Sequence, residues 1–342
     1  MTAPPEHGLA VQLVSWPEGL LKREHLAIVE MPTPHLPPGW VLVHNQYVAL
    51  DPRPVALSIR HWPLHTAVPA GSLIGEVVAS RSVDLPRGSL IAHRGGWSTY
   101  SALPRGGHST RTLRPPAGMP IDAYLTILGL PGLAAHVSLT KVLNFRPGES
   151  LFIAGATDQV GTATAQIARL LGASRIVGGV TSPDGARAAA QHSHFDAVFN
   201  HFAIQTARPE AFPCRVEVDA AVLGTSGAYL SETLSWVRDL GRIAWLDGLP
   251  FGSADLVAPL DFSIARRRGI RIERFGLQHH FHRFKEVEDQ YLNELCAGRL
   301  QHGRSIEVDI HGLIDVLVNA ARSGFQPTDT YRLASRGGQL TS

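Results

Sequence analysis

At 342 residues the chain is longer than one ordinary core, so two domains are expected. Hydrophobic residues make up 44% of it, yet no apolar run approaches the roughly 18 residues of a membrane span, so a soluble protein is expected. A formal net charge of +2 argues against a nucleic-acid partner, and a cysteine count of two (Cys214, Cys296) excludes a disulfide framework or a cysteine-rich zinc site.

In chain order, the first third reads as β-rich and opens without a charged-then-apolar leader, which favours the cytoplasm. Alternating runs at Trp40–Val48 and Ser72–Ala79 are bounded by turn residues, among them Pro37-Pro38-Gly39. Near Ile121 the pattern changes, and helix-like segments span Ala123 to Leu143. The apolar run Leu151-Phe152-Ile153-Ala154 then stops at the small-residue turn Gly155 to Gly161, and a helix-period pattern continues from Thr162. A second apolar strand follows at Arg175–Val180. Further strands are predicted at Ala197–Phe199, Val216–Val222, Arg242–Leu246 and Ile270–Phe275, alternating with helices. Such alternation predicts a parallel sheet with helices on both faces. Arg266-Arg267-Arg268 reads as positive charge offsetting the C-terminal end of a helix dipole.

The segment from Leu151 to Arg169 is the most informative. Strand, small-residue turn and helix in that order open a dinucleotide-binding βαβ unit, whose helix N-terminus faces a pyrophosphate. A glycine pair alone is weak, but the flanking strands and helix supply the required context. Asp158 departs from the pattern. It stands where the backbone must approach phosphate, and a carboxylate about 4 Å from phosphate costs on the order of 1–4 kcal/mol. Its rival role is a cap on the N–H groups of the following helix.

Five separated motifs carry a family resemblance. Asn45 to Pro52 resembles a Ser-x-Asp-Pro stretch, and Gly96-Trp97-Ser98-Thr99-Tyr100 a Gly-Trp-x-x-Tyr/His element. Leu128 to His136 resembles Gly-Met-Pro-Gly-Leu-Thr-Ala-Tyr. Phe195 to His201 resembles Phe-Asp-Val-Val-Phe-Asn-Tyr, and Leu240-Gly241-Arg242-Ile243 resembles Phe-Gly-Arg-Ile. In this order they resemble the medium-chain dehydrogenase/reductase superfamily, within it the zinc-independent prostaglandin reductase and enone reductase branch. The resemblance implies an α/β protein: a doubly wound Rossmann parallel sheet over residues 121–309, and a GroES-like β-barrel catalytic domain built from 1–120 and 310–342.

Zinc-dependent relatives use a cysteine and a Gly-His-Glu in the first domain. Here no cysteine precedes Cys214 and Gly-His-Glu is missing, so no metal is expected. The run His279-His280-Phe281-His282 does not by itself supply convergent geometry or a supporting shell.

For the cofactor, the second strand ends in Val180-Thr181-Ser182-Pro183, small and uncharged where NAD enzymes place an acid. Arg187 lies where the family carries a lysine for the 2′-phosphate, and His201 takes the adjacent tyrosine position. NADPH is the cofactor this implies. The phosphate turn contributes Ala156, Thr157, Gln159, Val160 and Gly161 to its expected site. Ser182, Arg187 and His201 serve the adenosine end, while Gly132, Leu223, Gly224 and Gly248 complete the set.

Other stretches depart from the family. Ala220 to Gly224 replaces Asp-Asn-Val-Gly-Gly, Pro327 to Tyr331 replaces Gly-Asn-x-Gly-Lys, and Asp51 to Val55 replaces Asp-Pro-Tyr-Met-Arg. The leading expectation is an NADPH-dependent reductase transferring hydride to a conjugated carbonyl or polyene. Hydride addition next to a carbonyl creates an enolate that needs a hydrogen-bond donor and a proton. Tyr47, Tyr100, His279 and His280 are candidate donors, and Arg53 is a candidate for stabilising the negative charge. Alternatives are a reductive cyclase of natural-product biosynthesis, a non-redox cyclase or isomerase on the same fold, and a non-catalytic binding protein. The expected partner is a small-molecule substrate, with neither nucleic acid nor membrane involved, and a homodimer is left open.

Overall fold

The computed structural model describes residues 6–50, 62–69, 71–104, 110–180, 183–190, 194–200, 217–224, 230–247, 262–323 and 329–334. The chain divides into two compact units. One combines Met1–Leu125, Gly303–Arg322 and Asp329–Ser342, and the other combines Thr126–His302 and Ser323–Thr328.

The first unit opens with strands β1 (His7–Leu13) and β2 (Leu26–Pro32), paired antiparallel. Then come β3 (Trp40–Ala49), β4 (Leu73–Ser80), β5 (Leu90–His93), β6 (Tyr100–Pro104) and β7 (Arg111–Leu113). The alternating runs of the sequence are β3 and β4, which pair antiparallel. Their register shifts at Leu42/Val43 and again at Asn45/Tyr47. Each irregularity re-aims the strand, since an extra residue on one side of a ladder bends it. As a result β3 serves two further neighbours: residues Trp40–His44 pair with β6, and its C-terminal end is free for another strand. Val41, Val43, Val77, Leu85, Ile91 and Leu103 close one core beneath these strands.

The helix-like stretch from Ala123 to Leu143 resolves into three unlike pieces. Ile121–Leu125 is a 3-10 turn, α1 spans Leu130–His136, and Val137–Val142 is a π-helix. Proline causes the break: Pro131 lies in the first turn of α1, where its missing N–H is harmless, and it cannot continue a helix from before.

Next come β8 (Ser150–Ala154), α2 (Gln159–Leu170), β9 (Arg175–Val180), α3 (Pro183–Ala190), β10 (Ala197–Asn200) and β11 (Val218–Leu223). They are followed by α4 (Leu230–Trp236), β12 (Val237–Asp247), α5 (Ser263–Arg268), β13 (Arg271–Gly276) and α6 (Phe284–Cys296). The strands form a six-stranded sheet ordered β10-β9-β8-β11-β12-β13, with every pair parallel. The order runs outward in both directions from β8, which defines a doubly wound sheet whose switch point lies between β8 and β11. β8 is apolar on both faces because both are covered. β12 begins five residues before the Arg242 expected from the sequence, through an irregular stretch that exposes Asp239 and Leu240. The three arginines do end a helix, α5, and Gly269 caps it in the left-handed conformation at φ 62°.

Polar staples hold the N-terminal edge of the sheet. The Asp219 carboxylate accepts from the Ser150 N–H at 2.7 Å and the Ser150 hydroxyl at 2.6 Å, joining β11 to β8. Arg238 and Arg242 contribute the positive charge that, with these hydrogen bonds, holds Asp219 below the ordinary carboxylate range despite its desolvation.

After the sheet the chain returns to the first unit as β14 (Ser305–Val308), α7 (Ile310–Ser323) and β15 (Thr330–Leu333). β15 pairs antiparallel with the free end of β3, matching Thr330–Arg332 to Ala49–Tyr47, and β14 pairs parallel with β15. The buried Thr330 hydroxyl donates to the Asp122 carboxylate at 3.0 Å, fastening the return to the segment where the first unit ended. Helix α7 buries Ile310, Leu313, Ile314, Leu317 and Val318, a spacing that puts all five on one stripe. They pack with Trp62, Trp97 and Tyr331. The fold is thus α/β, a Rossmann sheet with a GroES-like β-barrel domain. Leu317, 0% exposed, has no room to relax around a lost side chain, so Leu317→Ala is expected to destabilise by about 2–5 kcal/mol. Chemical denaturation monitored by tryptophan fluorescence checks this.

Candidate functional site

The turn from Gly155 to Gly161 leaves the C-terminal end of β8, beside the switch point. Two glycines make it possible. Gly155 adopts φ +81°, a conformation that side chains resist. Gly161 brings the first turn of α2 so close that a Cβ on it would lie 2.0 Å from the Gly155 carbonyl oxygen. Gly155 and Ala156 both donate their N–H groups to the Gly179 carbonyl at 3.0 Å, which hangs the turn from the end of β9. Asp158 is the N-cap of α2: its Oδ1 accepts from the Gly161 N–H at 2.5 Å. The cap role therefore describes the geometry of Asp158. Thr157, Asp158 and Val160 are buried, whereas Gln159 is half-buried.

Leu223 ends β11 on the other side of the switch point, fully buried, and Gly224 follows it. A Cβ added at Gly224 would meet nothing within 4 Å, so this glycine borders open space. Gly132 has a packing reason instead, because a Cβ there would sit 1.7 Å from the Ile127 carbonyl oxygen. Arg187 lies on α3 with its side chain exposed. Ser182, His201 and Gly248 lie outside the described residues, as does Arg53.

The other catalytic candidates are spread over both units. Tyr47 is half-buried on β3, with Ile74 and Arg332 as its cross-strand partners. Tyr100 sits opposite His44 on β6, and the two rings stack with centroids 4.9 Å apart. Burial pushes its phenol up from the ordinary range, so it stays an O–H donor. His279 is exposed on the 3-10 segment Leu277–Arg283, beside Gln278. His280, on the same segment, is pushed down by burial first and by neighbouring cations second. Among the described residues no three or more histidine, cysteine or acidic side chains group in a way that could hold a metal ion.

Two buried polar networks escaped the sequence reading. In the first unit Asn45 donates through Nδ2 to the Ser98 carbonyl at 2.7 Å and to the Ser101 hydroxyl at 2.9 Å. Its Oδ1 lies 2.8 Å from His93 Nε2, and His93 Nδ1 accepts from the Gly95 N–H at 3.0 Å. That N–H fixes the tautomer: the imidazole is neutral, with its proton on Nε2. The network pins the Gly95-Gly96-Trp97 turn between β5 and β6. Polar residues in β3 and at the end of β5, Asn45 and His93, were the available signal. In the second unit His136 Nδ1 lies 2.9 Å from the Tyr291 hydroxyl, and its Nε2 lies 3.3 Å from Glu286. Glu286 also accepts from Lys141 at 2.5 Å and from Arg283 at 2.9 Å. Hydrogen bonding by Lys141, first among several causes, drops its carboxyl to about 2. This network joins α1 to α6 across more than 140 residues of sequence, so no local pattern could announce it.

His93 is 1% exposed, and burial drops its imidazole from 6.5 to about 3. The unfolded chain takes up a proton below pH 6.5 that the folded chain refuses until about pH 3. Stability from neutral His93 is therefore complete above pH 6.5 and is lost as pH falls toward 3, with a slope of up to about 1.4 kcal/mol per pH unit. Urea titrations across this range should show that slope in the natural protein and a shallower one in His93→Gln. A difference between the two proteins that does not vary with pH would contradict the assignment.

Residues 10–110 match a family described as the N-terminal domain of oxidoreductase. The putative NADP-dependent oxidoreductase YfmJ of Bacillus subtilis is 27% identical over 323 residues, covering 90% of this chain and 92% of that one. Mouse prostaglandin reductase 1 is 26% identical over 227 residues, a match spanning 63% of this chain and 65% of the mouse enzyme. In structure, CurA from Vibrio vulnificus in complex with NADPH superposes with a TM-score of 0.76 at 20% identity, covering 96% of this chain and 99% of that one. The motif series, the doubly wound order of the sheet and these likenesses agree: the chain carries an oxidoreductase N-terminal domain and is similar to NADP-dependent medium-chain reductases, among them the prostaglandin reductases.

Proposed function

We propose that this protein is an NADPH-dependent reductase that delivers hydride to the electron-poor double bond of a conjugated carbonyl compound. The observation that carries the proposal is the glycine turn at the switch point, Gly155 to Gly161, on a chain whose relatives include an NADP-dependent oxidoreductase and prostaglandin reductases. The residues present suit a dinucleotide: the turn leaves β8 at the position where such ligands bind, and Gly224 leaves open space on the neighbouring strand end. Thr157, Gln159, Val160 and Gly161 would hold the pyrophosphate, with Leu223 and Gly224 beside them. Arg187, Ser182 and His201 would meet the 2′-phosphate end, with Gly248 completing the pocket.

When bound, NADPH supplies the hydride. The protein's part is to orient the substrate, to donate a hydrogen bond to the oxygen that gains charge, and to see the enolate protonated. Tyr47 is the donor we favour. Tyr100 is stacked on His44, and its ring lies 3.0 Å from the position a Cβ on Gly8 would take, so packing already employs it. Arg53 and His279 remain further candidates for charge stabilisation.

Reduction coupled to ring closure in natural-product biosynthesis would use the same cofactor site. A non-redox cyclase or isomerase is the reading favoured by one observation, the Asp158 carboxylate seated on the Gly161 amide. We also propose a cytoplasmic protein, consistent with the finding that no helix among the described residues is long and apolar enough to cross a membrane.

Turnover of a panel of simple enones and enals, followed by loss of NADPH absorbance, tests the reductase reading. Tyr47→Phe is expected to lower kcat by about a hundredfold, within the usual range for a lost acid–base group. Tyr100→Phe should lower it far less. Absence of NADPH consumption with every substrate, together with absence of NADPH binding, would reject a redox function.

A further inference from the structure

On the reading of this protein as an NADPH-dependent reductase, we infer that the Asp158 carboxylate is a built-in occupant of the anion position at the head of α2. The cofactor's pyrophosphate must displace it or bind beside its charge, so Asp158 sets the affinity for that part of the dinucleotide.

The geometry has three parts. Asp158 is only 8% exposed, so its carboxylate is folded into the turn and not directed to solvent. Its Oδ1 accepts from the Gly161 N–H at 2.5 Å. Its Oδ2 lies 2.5 Å from the position a Cβ on Gly155 would take. The space that Gly155 leaves by lacking a side chain is thus the space the carboxylate fills. In a phosphate-binding turn the first glycine serves the tight bend, and the middle position, Asp158 here, is where the backbone comes against the ligand. A chemically equivalent anion from the chain's own sequence has taken that place.

The competition follows from stoichiometry and charge. The Gly161 amide has one proton, and a charge-assisted hydrogen bond to a carboxylate is among the stronger ways to use it. If the carboxylate rotates out to admit the pyrophosphate, α2 loses its N-cap. If it stays, two anions share a short helix end. Either route weakens binding of the pyrophosphate while leaving the 2′-phosphate end of the cofactor untouched.

Two substitutions separate charge from capping. Asparagine caps a helix about as well as aspartate, so Asp158→Asn keeps the fold and removes the charge, whereas Asp158→Ala removes both. Calorimetric titration of the full chain would use NADPH, and 2′-AMP as a probe that carries the 2′-phosphate but has no pyrophosphate. Asp158→Asn should bind NADPH roughly tenfold tighter than the natural protein, equivalent to about 1.4 kcal/mol. Its 2′-AMP affinity should be unchanged, and its Tm without ligand should exceed that of Asp158→Ala. Equal NADPH affinity in all three proteins would overturn the inference and leave the reductase reading in place. A parallel gain for 2′-AMP would overturn it too, because the effect would then lie away from the pyrophosphate. No NADPH binding by any of the three would overturn both this inference and the reductase reading.

Discussion

Between the carbonyl of Gly155 and the backbone of Gly161 there is no room for a side chain, and the layout of the second unit follows from that approach. The strand β8 reverses into α2 over a handful of residues, which brings the helix flat against the sheet. Val160, Ala163, Ala165, Ile167 and Ala168 on that helix are small or compact, and all are buried. Gly178 and Gly179 extend the same logic into β9. A Cβ on Gly179 would press on the Phe152 ring at 2.8 Å, and one on Gly178 would meet the Ala156 methyl at 2.7 Å. Backbone takes the place of side chains at the end of the sheet where a ligand binds in folds of this class, while bulky side chains fill the rest.

Asp158 shows how one residue can satisfy folding at the expense of a ligand. The amides at a helix start need an acceptor, and aspartate at the N-cap is among the best available. A carboxylate also suits the positive end of the helix dipole. Both facts hold equally for a bound phosphate, which is why the cap and the cofactor ask for the same place. The opposite edge of the sheet has no such conflict. There Asp219 holds Ser150 and Arg238, and Glu149 pairs with Arg242, joining strand to strand.

Much of the fold was legible because it is periodic. The alternation in β3 and β4, the buried stripe of α7 and the strand–turn–helix at Leu151 to Leu170 each repeat at a spacing set by backbone geometry, so short windows of sequence report them. Irregular backbone was less legible. The stretch from Ala123 to Leu143 has uniform helical character in composition, yet Pro131 and the wide turn after His136 divide it into three conformations. β12 begins earlier than its apolar run because Arg238 and Asp239 enter the strand through an exposed irregularity. Of the candidate site, the glycine turn after β8 could be read directly, whereas the setting of each tyrosine could not. Both Tyr47 and Tyr100 are candidates by residue type, and the stacking of Tyr100 on His44 and its packing at Gly8 distinguish them.

By itself, then, the amino-acid sequence determined the two kinds of sheet, the family resemblance and the place of the glycine turn, since these depend on local spacing and on residue type. The tertiary structure alone decided where the Asp158 carboxylate points, which tautomer His93 adopts and that His136 meets Tyr291. The reason is physical. The direction of a polar side chain is set by whichever donor or acceptor folding brings within about 3 Å. For His93 and His136, whose partners Asn45 and Tyr291 lie 48 and 155 residues away, that neighbour exists only once the chain has folded.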